Sequence, residues 1–225
     1  MGSDDPAERA RSFEILVRAY WKPIYKHLRV RWRRSSEQAA DLTQGFFARA
    51  FEQRMFAAYD PTRALFRTYL KGCLDHHVLK DAESNQRQKR GGGMVTLSLD
   101  FPAAERELEG LAVPTPETIE GYFDREWTRH LVGMTVDALR ERCVQSGKPL
   151  TFRVFERYVL DDGPTERPSY AELATELGIK VTDVTNYLAF ARREFRRLLL
   201  EQLREITGSE EEFTAESRAL LGGVS

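Results

Sequence analysis

The chain has 225 residues, of which 41% are hydrophobic and 31% are charged, and its net charge is −1. This length allows one domain or two small ones with real cores, and the charge excludes a uniformly basic nucleic-acid-binding protein. No apolar run approaches the roughly 18 residues that a membrane helix needs, and the first residues, MGSDDPAERARS, lack the order of a signal peptide. We therefore expect a globular cytoplasmic protein with no membrane segment.

The charges are spread unevenly along the chain. Residues 22–34 carry six Lys and Arg side chains and no acid, whereas residues 99–126 carry eight acids and two arginines. Each run alone is typical of a solvated helix face. Together, the two runs indicate basic modules joined by an acidic connector.

Apolar residues recur at helical spacing along almost the whole chain, which predicts an all-α fold. The first helices are expected at about residues 7–33, 36–54 and 63–88. Clustered glycines, prolines and acids then predict a flexible acidic linker. The predicted organisation is a helical domain at 7–90, the linker at 91–120, a second helical domain at 121–206 and an acidic tail at 207–225.

The second domain contains a helix-turn-helix pattern. Ser169 and Glu172 are spaced as a capping box, and Gly178 is a predicted left-handed C-cap. Small Ala174 and apolar Val184 have the spacing that lets two helices approach across a short turn, although an ordinary helical hairpin is the alternative. The second helix, with Thr182 as its predicted N-cap, presents a polar face suited to base edges and phosphates. This face contains Thr182, Thr185, Asn186, Arg192, Arg193, Arg196 and Arg197.

Several segments, in this order and separation, resemble a known family. They are AADLTQGFFARAF, YDPTRALFRTYLKGCLDHHVLKDAE, QKRGGG, and SYAELATELGI followed by VTNYLAFARREFRRLLLEQL. Over about residues 10–206 the chain resembles the extracytoplasmic-function (ECF) bacterial sigma factors, which bind RNA polymerase and direct it to promoters. The resemblance implies that the first domain docks on the clamp coiled coil of core RNA polymerase and melts and reads the −10 element of promoter DNA. The second domain would then read the −35 element through the polar face above.

The helix that contains DLTQ corresponds to the polymerase-binding helix of that family. At 100° per residue, its outward face is expected to hold Gln38, Asp41, Gln44 and Gly45. The family usually has the acidic pattern D-A-E-D-L-T-Q-E here, and three of its acids are replaced in this chain, at Gln38, Ala40 and Gly45. Since complementary charge contributes to encounter and specificity, we expect weak affinity for core polymerase in the unmodified state.

This neutral face resembles a subgroup of these factors in which a Ser/Thr protein kinase supplies negative charge. A phosphate adds about −1.5 to −2 charges and three acceptor oxygens. Position in the motif favours Thr43, but the helical wheel places it roughly 160° from Asp41, on the core side. The alternative there is a half-buried threonine that bonds to the carbonyl four residues earlier. Ser35 and Ser36, at the helix N-terminus, are the other candidate phosphorylation sites.

By the same resemblance, residues 66–90 contact the −10 element. Phe66 and Tyr69 are expected to stack on unpaired bases, with core packing as the alternative for each ring. His77 is also expected to contact the −10 element, and because it stands where the family often has asparagine, the −10 sequence preference does not transfer. The basic side chains expected to hold backbone phosphates are Lys71, Lys80, Arg87, Lys89 and Arg90.

The sequence also bears on two other classes of function, enzymes and stand-alone regulators. His76 and His77 diverge by about 100° on a helix and have no third ligand at a metal-binding spacing, so a metal hydrolase is not supported. KRGGGM lacks the ending of a phosphate loop. We therefore expect no enzymatic activity, no metal and no cofactor. The serious alternative is a stand-alone helix-turn-helix regulator with an N-terminal protein-interaction module, which would bind duplex DNA specifically without polymerase.

Overall fold

The computed structural model describes residues 5–84, 98–109, 119, 121–161 and 167–222. For residues 82–84 it describes the backbone alone. Its helices are α1 (Pro6–Val30), α2 (Ser36–Glu52), α3 (Phe66–Ser84), α4 (Phe101–Glu109), α5 (Tyr122–Gln145), α6 (Pro149–Phe155), α7 (Tyr170–Leu177), α8 (Val181–Ile206) and α9 (Glu210–Leu221), with a short 3₁₀ turn at Met55–Ala58 and a π turn at Glu156–Leu160. These ranges contain no strand, which confirms the all-α fold. Within them, no helix is long and apolar enough to cross a membrane.

Local sequence determines where the helices begin and end. Ser35 and Gln38 form a capping box at the start of α2, and Ser169 and Glu172 form one at the start of α7. In each box the serine hydroxyl accepts a backbone N–H and the third helical residue bonds back to the cap, which satisfies two free donors at once. Gly178 ends α7 in the left-handed conformation, at φ 65°, as its C-cap role requires.

The start of α8 differs from the sequence expectation. The helix begins at Val181, one residue before the predicted cap Thr182. The carboxylate of Asp183 accepts a hydrogen bond from the backbone N–H of Lys180 at 3.2 Å. Since the helix already begins at Val181, Thr182 lies inside the first turn, and the prediction of Thr182 as the cap was wrong.

The described chain divides into two compact units. The first unit contains the residues up to His130 together with those from Arg204 onward, and the second unit is Leu131–Leu203. The predicted boundaries follow composition rather than contacts and stay a prediction. Helix α9, in the segment assigned to the acidic tail, belongs to the first unit.

The first unit has a core built from α1, α2 and α3. Tyr20, Ile24 and Leu28 of α1, Phe46 of α2 and Leu74 of α3 are almost fully buried there. The three residues of α1 follow one another at a spacing of four, which is the pattern of an amphipathic helix with one face turned to the core.

Part of the predicted linker is a helix bound to the first unit. Glu107 of α4 pairs with Lys22 at 2.7 Å and Lys26 at 2.8 Å, and Glu105 pairs with Arg29 at 2.6 Å. This corrects the expectation of a flexible spacer for the part of the linker that forms α4. It also corrects the interpretation of the basic run as a solvated face, since Lys26 is only 1% exposed. Opposite charges on α1 and α4 explain why the acidic run binds the basic one.

The second unit has two apolar clusters. One contains Leu139, Cys143, Phe152, Phe155 and Ala191. The other contains Val154, Leu173, Ala174, Val184 and Leu188. Ala174 of α7 and Val184 of α8 share the second cluster, so the turn at Gly178 is held by packing on both sides.

Candidate functional site

The outward face of α2 is only partly as the helical wheel predicts. Gln38 and Asp41 are exposed, while Gln44 and Gly45 are half-buried. On the opposite side, Ala39, Leu42, Phe46 and Ala50 are buried. Among the four residues predicted to face outward, Asp41 therefore supplies the one carboxylate, while Glu37 is exposed at the edge of this face.

Gly45 is half-buried because His77 of α3 lies beneath it. A Cβ atom at Gly45 would lie 3.9 Å from Nε2 of His77, which is ordinary van der Waals contact. The His77 ring packs against Phe46, with ring centroids 5.7 Å apart, and burial lowers the pKa of this histidine. His77 thus packs against α2, and space alone does not require a glycine at position 45. The −10 DNA contact expected for the half-buried His77 stays a prediction.

The three candidate hydroxyl groups lie in different surroundings. Thr43 is 0% exposed, and its hydroxyl donates a hydrogen bond to the carbonyl of Ala39 at 2.7 Å. This is the back-bonded geometry that the helical wheel allowed as the alternative. Ser35 and Ser36 are both exposed, although the Ser35 hydroxyl accepts the N–H of Gln38 at 3.2 Å. A modifying enzyme can reach the two serines directly, and it can reach Thr43 only if α2 opens.

The two aromatic candidates for stacking are held by the fold. Phe66 is 1% exposed, and its ring centroid lies 5.1 Å from that of Tyr59 and 5.5 Å from that of Tyr20. Tyr69 is half-buried, its hydroxyl donates to the carbonyl of Met55 at 2.9 Å, and burial raises its pKa to about 12. The expectation that Phe66 is free to stack on bases was wrong, because the ring fills the aromatic core.

The basic candidates near the −10 segment are less constrained. Lys80 is exposed and Lys71 is half-buried. The predicted phosphate contacts Arg87, Lys89 and Arg90 lie outside the described residues.

The polar face of α8 is available to solvent. Its predicted contacts Thr182, Thr185, Asn186, Arg192, Arg193 and Arg196 are all exposed. Arg197 differs, since its guanidinium pairs with Glu194 at 2.9 Å and with Glu201 at 2.5 Å. The face therefore combines short hydrogen-bonding side chains near its start with arginines further along the helix, and Arg197 is already engaged by carboxylates.

The arrangement of these helices agrees with a comparison with known families. A family model described as ECF sigma factor matches residues 5–201. The chain belongs to the ECF sigma factor family. Comparisons with curated proteins and with solved structures give no match.

Membership of the ECF sigma factor family assigns the general function of the protein. The protein is a sigma factor that directs transcription initiation, and the factors of this family bind core RNA polymerase and promoter DNA. The family is one of transcription factors rather than enzymes. Among the described residues, no group of three or more His, Cys, Asp or Glu side chains could hold a metal ion. The alternative of a stand-alone regulator loses its support, because the match extends across both helical units.

Sequence reasoning missed one charged cluster of this sigma factor, centred on Arg67 of α3. Its guanidinium pairs with Glu216 of α9 at 2.6 Å and with Asp124 of α5 at 3.1 Å, and it lies 5.0 Å above the Trp127 ring. The four-residue spacing of Glu212 and Glu216 is a sequence signal that would place both carboxylates on one face of a helix. Nothing in the sequence identified Arg67 as the partner of that face.

Proposed function

We propose that this ECF sigma factor binds core RNA polymerase through the outward face of α2 and that this face is too weakly acidic to bind tightly until negative charge is added. The observation that carries the proposal is the exposed surface of α2, where Asp41 lies near the neutral side chains of Gln38 and Gln44. Charged groups at the rim of an interface mainly set the rate of encounter and its salt dependence. Adding carboxylates to this face should therefore increase polymerase binding.

We further propose that a Ser/Thr protein kinase supplies the charge by phosphorylating α2. Motif position supports Thr43, whereas exposure supports Ser35 and Ser36. A phosphate on either serine would lie beside free backbone amides and the positive end of the helix dipole, which favours it. A phosphate on Thr43 would require rotation or local opening of α2, because the hydroxyl is buried against its own helix.

In the promoter complex, the exposed face of α8 is proposed to read the −35 element. Thr182, Thr185 and Asn186 would contact base edges, while Arg192, Arg193 and Arg196 would hold phosphates. In the first unit, the exposed Lys80 and the half-buried Lys71 are proposed to bind backbone phosphates near the −10 element.

The test is core polymerase binding by the full chain at near-physiological salt. The wild type would be compared with Gln38→Asp/Gly45→Glu, Thr43→Glu, Ser35→Glu and Ser36→Glu. A control with two added acids on α5, Val144→Glu/Gln145→Glu, changes the net charge equally at exposed positions of the second unit. Thermal unfolding of each variant separates a binding effect from loss of the fold, which matters most for Thr43→Glu.

We expect weak binding by the wild type and by the α5 control, and stronger binding by the α2 double variant. Stronger binding by one of the single variants would identify the modified hydroxyl. Tight binding by the wild type would contradict the charge gate and leave a sigma factor without it. No binding by any folded variant would contradict the assignment of α2 as the polymerase-binding helix.

A further inference from the structure

Helix α9 is attached to the first unit by two buried glutamates. Glu212 is 4% exposed and Glu216 is 3% exposed, and among the side chains of α9 these two alone are fully buried. The apolar Phe213, Leu220 and Leu221 of the same helix are only half-buried. Charge and hydrogen bonding, rather than an apolar core, therefore dominate this contact.

Both glutamates bind groups at the start of α3. One carboxylate oxygen of Glu212 accepts the backbone N–H of Phe66 at 2.5 Å, and the other accepts the N–H of Gly208 at 2.7 Å. Glu216 pairs with the guanidinium of Arg67 at 2.6 Å. Amides at a helix start and an arginine are the groups that hold phosphate oxygens in nucleic-acid complexes. In the free protein, the carboxylates of α9 bind the Phe66 N–H and the Arg67 guanidinium, two groups of the kind that bind phosphate oxygens.

This corner lies at the start of the −10 segment, so its occupation bears on the proposed function. We propose that α9 is an internal competitor for promoter DNA, whose two carboxylates cover a phosphate-binding corner formed by Phe66 N–H and Arg67. The proposal rests on the proposed assignment of α3 to the −10 element. It makes release of α9 a step that precedes full contact between the first unit and DNA.

The contact between α9 and the start of α3 is one that DNA can reverse. Burial raises the pKa of Glu216 to about 6, and the neighbouring carboxylates of Glu212 and Asp124 also raise it, while Arg67 opposes them. An ionised Glu216 is therefore held at some cost at neutral pH. Since its gain comes from one guanidinium, a polyanion such as DNA can displace it by offering the same guanidinium a phosphate.

The test breaks the same ion pair from either side. Glu216→Lys and Arg67→Gln would each be made in the full chain, with Glu211→Lys as the matched control, since Glu211 is an exposed acid of the same helix and the change in charge is equal. A lysine is used because a neutral side chain at position 216 would imitate the protonated carboxyl, the form that burial favours. Binding to a fluorescent single-stranded oligonucleotide of mixed sequence would be measured by anisotropy at low salt. Release of α9 would be followed independently through the NMR signal of the Phe66 amide.

Competition makes the two variants differ. Glu216→Lys places two cations together and should release α9, which raises DNA affinity about fivefold or more above that of Glu211→Lys, because the binding-competent fraction increases. Arg67→Gln should also release α9 but give no gain, since the phosphate contact is lost with it. Glu211→Lys measures the gain that the added charge alone gives, and its Phe66 amide signal should show that α9 stays bound.

Two results would overturn the proposal. The first is release of α9 by Glu216→Lys with no gain in DNA affinity beyond that of Glu211→Lys, and the second is an equal gain from Arg67→Gln. If Glu216→Lys fails to fold, Gly208→Ala replaces it, because a Cβ there would lie 2.9 Å from the Tyr59 ring and displace the start of α9 without changing a charge. Core polymerase binding by the same variants is measured separately, so failure of the proposed polymerase contact at α2 is distinguishable from failure of this competition.

Discussion

Single residues in this protein show that the same amino acid can serve opposite purposes. Gly178 has a φ of 65°, a conformation that costs side-chain-bearing residues energy, and it ends α7. Gly45 lies inside α2, where a Cβ would meet only the edge of the His77 ring at 3.9 Å. The first glycine is required by the backbone, whereas the second weakens a helix that could hold a larger residue.

Replacing these glycines should therefore change stability in opposite directions. We expect Gly45→Ala to raise the free energy of unfolding of the first unit by about 1 kcal/mol. Gly178→Ala should lower that of the second unit by about 1 kcal/mol. Tryptophan fluorescence during urea unfolding reports the first unit, since Trp21, Trp32 and Trp127 all belong to it, and circular dichroism follows the second. A loss of stability from Gly45→Ala would show that His77 cannot accept the added methyl group.

The arginines of α8 also differ one from another. Arg192 and Arg196 are exposed on the proposed DNA face, whereas Arg197 pairs with Glu194 and Glu201. Binding to duplex DNA of mixed sequence should lose about one unit of salt slope for Arg192→Gln and for Arg196→Gln, because each removes one phosphate contact. Arg197→Gln is the control, and it should change the slope much less. An equal change for all three would show that the ion pairs of Arg197 open on DNA.

At the scale of elements, the pairing of α4 with α1 depends on a buried charge. Lys26 is 1% exposed and lies 2.9 Å from Glu126 of α5, itself 3% exposed, as well as 2.8 Å from Glu107. Buried ions are stable only when they are paired, and removing one partner leaves the other without compensation. Lys26 therefore joins three helices of the first unit.

Breaking this pair from one side should be costly. We expect Lys26→Met to lower the free energy of unfolding of the first unit by about 3 kcal/mol, since Glu126 keeps only its pairing with Arg129. The double variant Lys26→Met/Glu126→Leu should recover more than half of that loss. Urea unfolding followed by tryptophan fluorescence measures both. A double variant as unstable as the single one would mean that shape, not charge, holds the helices.

At the scale of the whole molecule, two acidic helices of the first unit respond to pH in opposite ways. The hydrogen bond from Arg29 is the largest influence on the pKa of Glu105 and holds it below 4.5. Burial opposes ionisation of Glu107, but hydrogen bonds from Lys22 and Lys26 still place its pKa below 4.5. Binding of α4 is therefore fully present above pH 4.5 and is lost as pH falls through these lowered values. The pKa of Glu216 is raised to about 6, so binding of α9 is strongest below 4.5 and weakens as pH rises through 6.

An NMR titration from about pH 4 to pH 8 should separate the two helices. The Phe66 amide signal, which reports its bond to Glu212, should shift toward that of a released α9 as the pH passes 6. The Arg29 Nε–H signal, which reports α4, should change only at the acidic end. Glu216→Gln is the control, because it should remove the change near pH 6 and leave the acidic one. A shared transition would show that the two helices are released together.

Sequence alone predicted the parts of the fold that local chemistry determines. The capping boxes at Ser35 and Ser169 and the turn at Gly178 depend only on residues that are neighbours in sequence. Periodicity also placed Leu42 and Phe46 on the inner side of α2. Contacts distant in sequence were not predictable in this way. The binding of α4 to α1, and of Glu216 to Arg67, joins residues about 80 and 149 positions apart, and only the folded chain brings them together.

The candidate site residues differ in the same way, since some depend on local helical spacing and others on packing between helices. The exposed face of α8 follows from helical spacing within one element, and every predicted contact on it is exposed. Two candidates on α3, Phe66 and His77, have rings that pack against α1 and α2, so their surroundings are set by neighbouring helices. An aromatic or imidazole ring fits both a core and a nucleic-acid surface, so residue type could not separate the two.

Because Thr43 is buried, the low stability of α2 would control the rate at which this residue can be modified. If Thr43 is the modified residue, a kinase acts only on the small fraction of molecules in which α2 has opened, and Gly45, two residues away, sets how large that fraction is. A gain of about 1 kcal/mol from Gly45→Ala would make the open fraction, and hydrogen exchange of the α2 amides, about fivefold smaller. The glycine would then lower the stability of α2 and thereby increase the rate at which a kinase can phosphorylate Thr43.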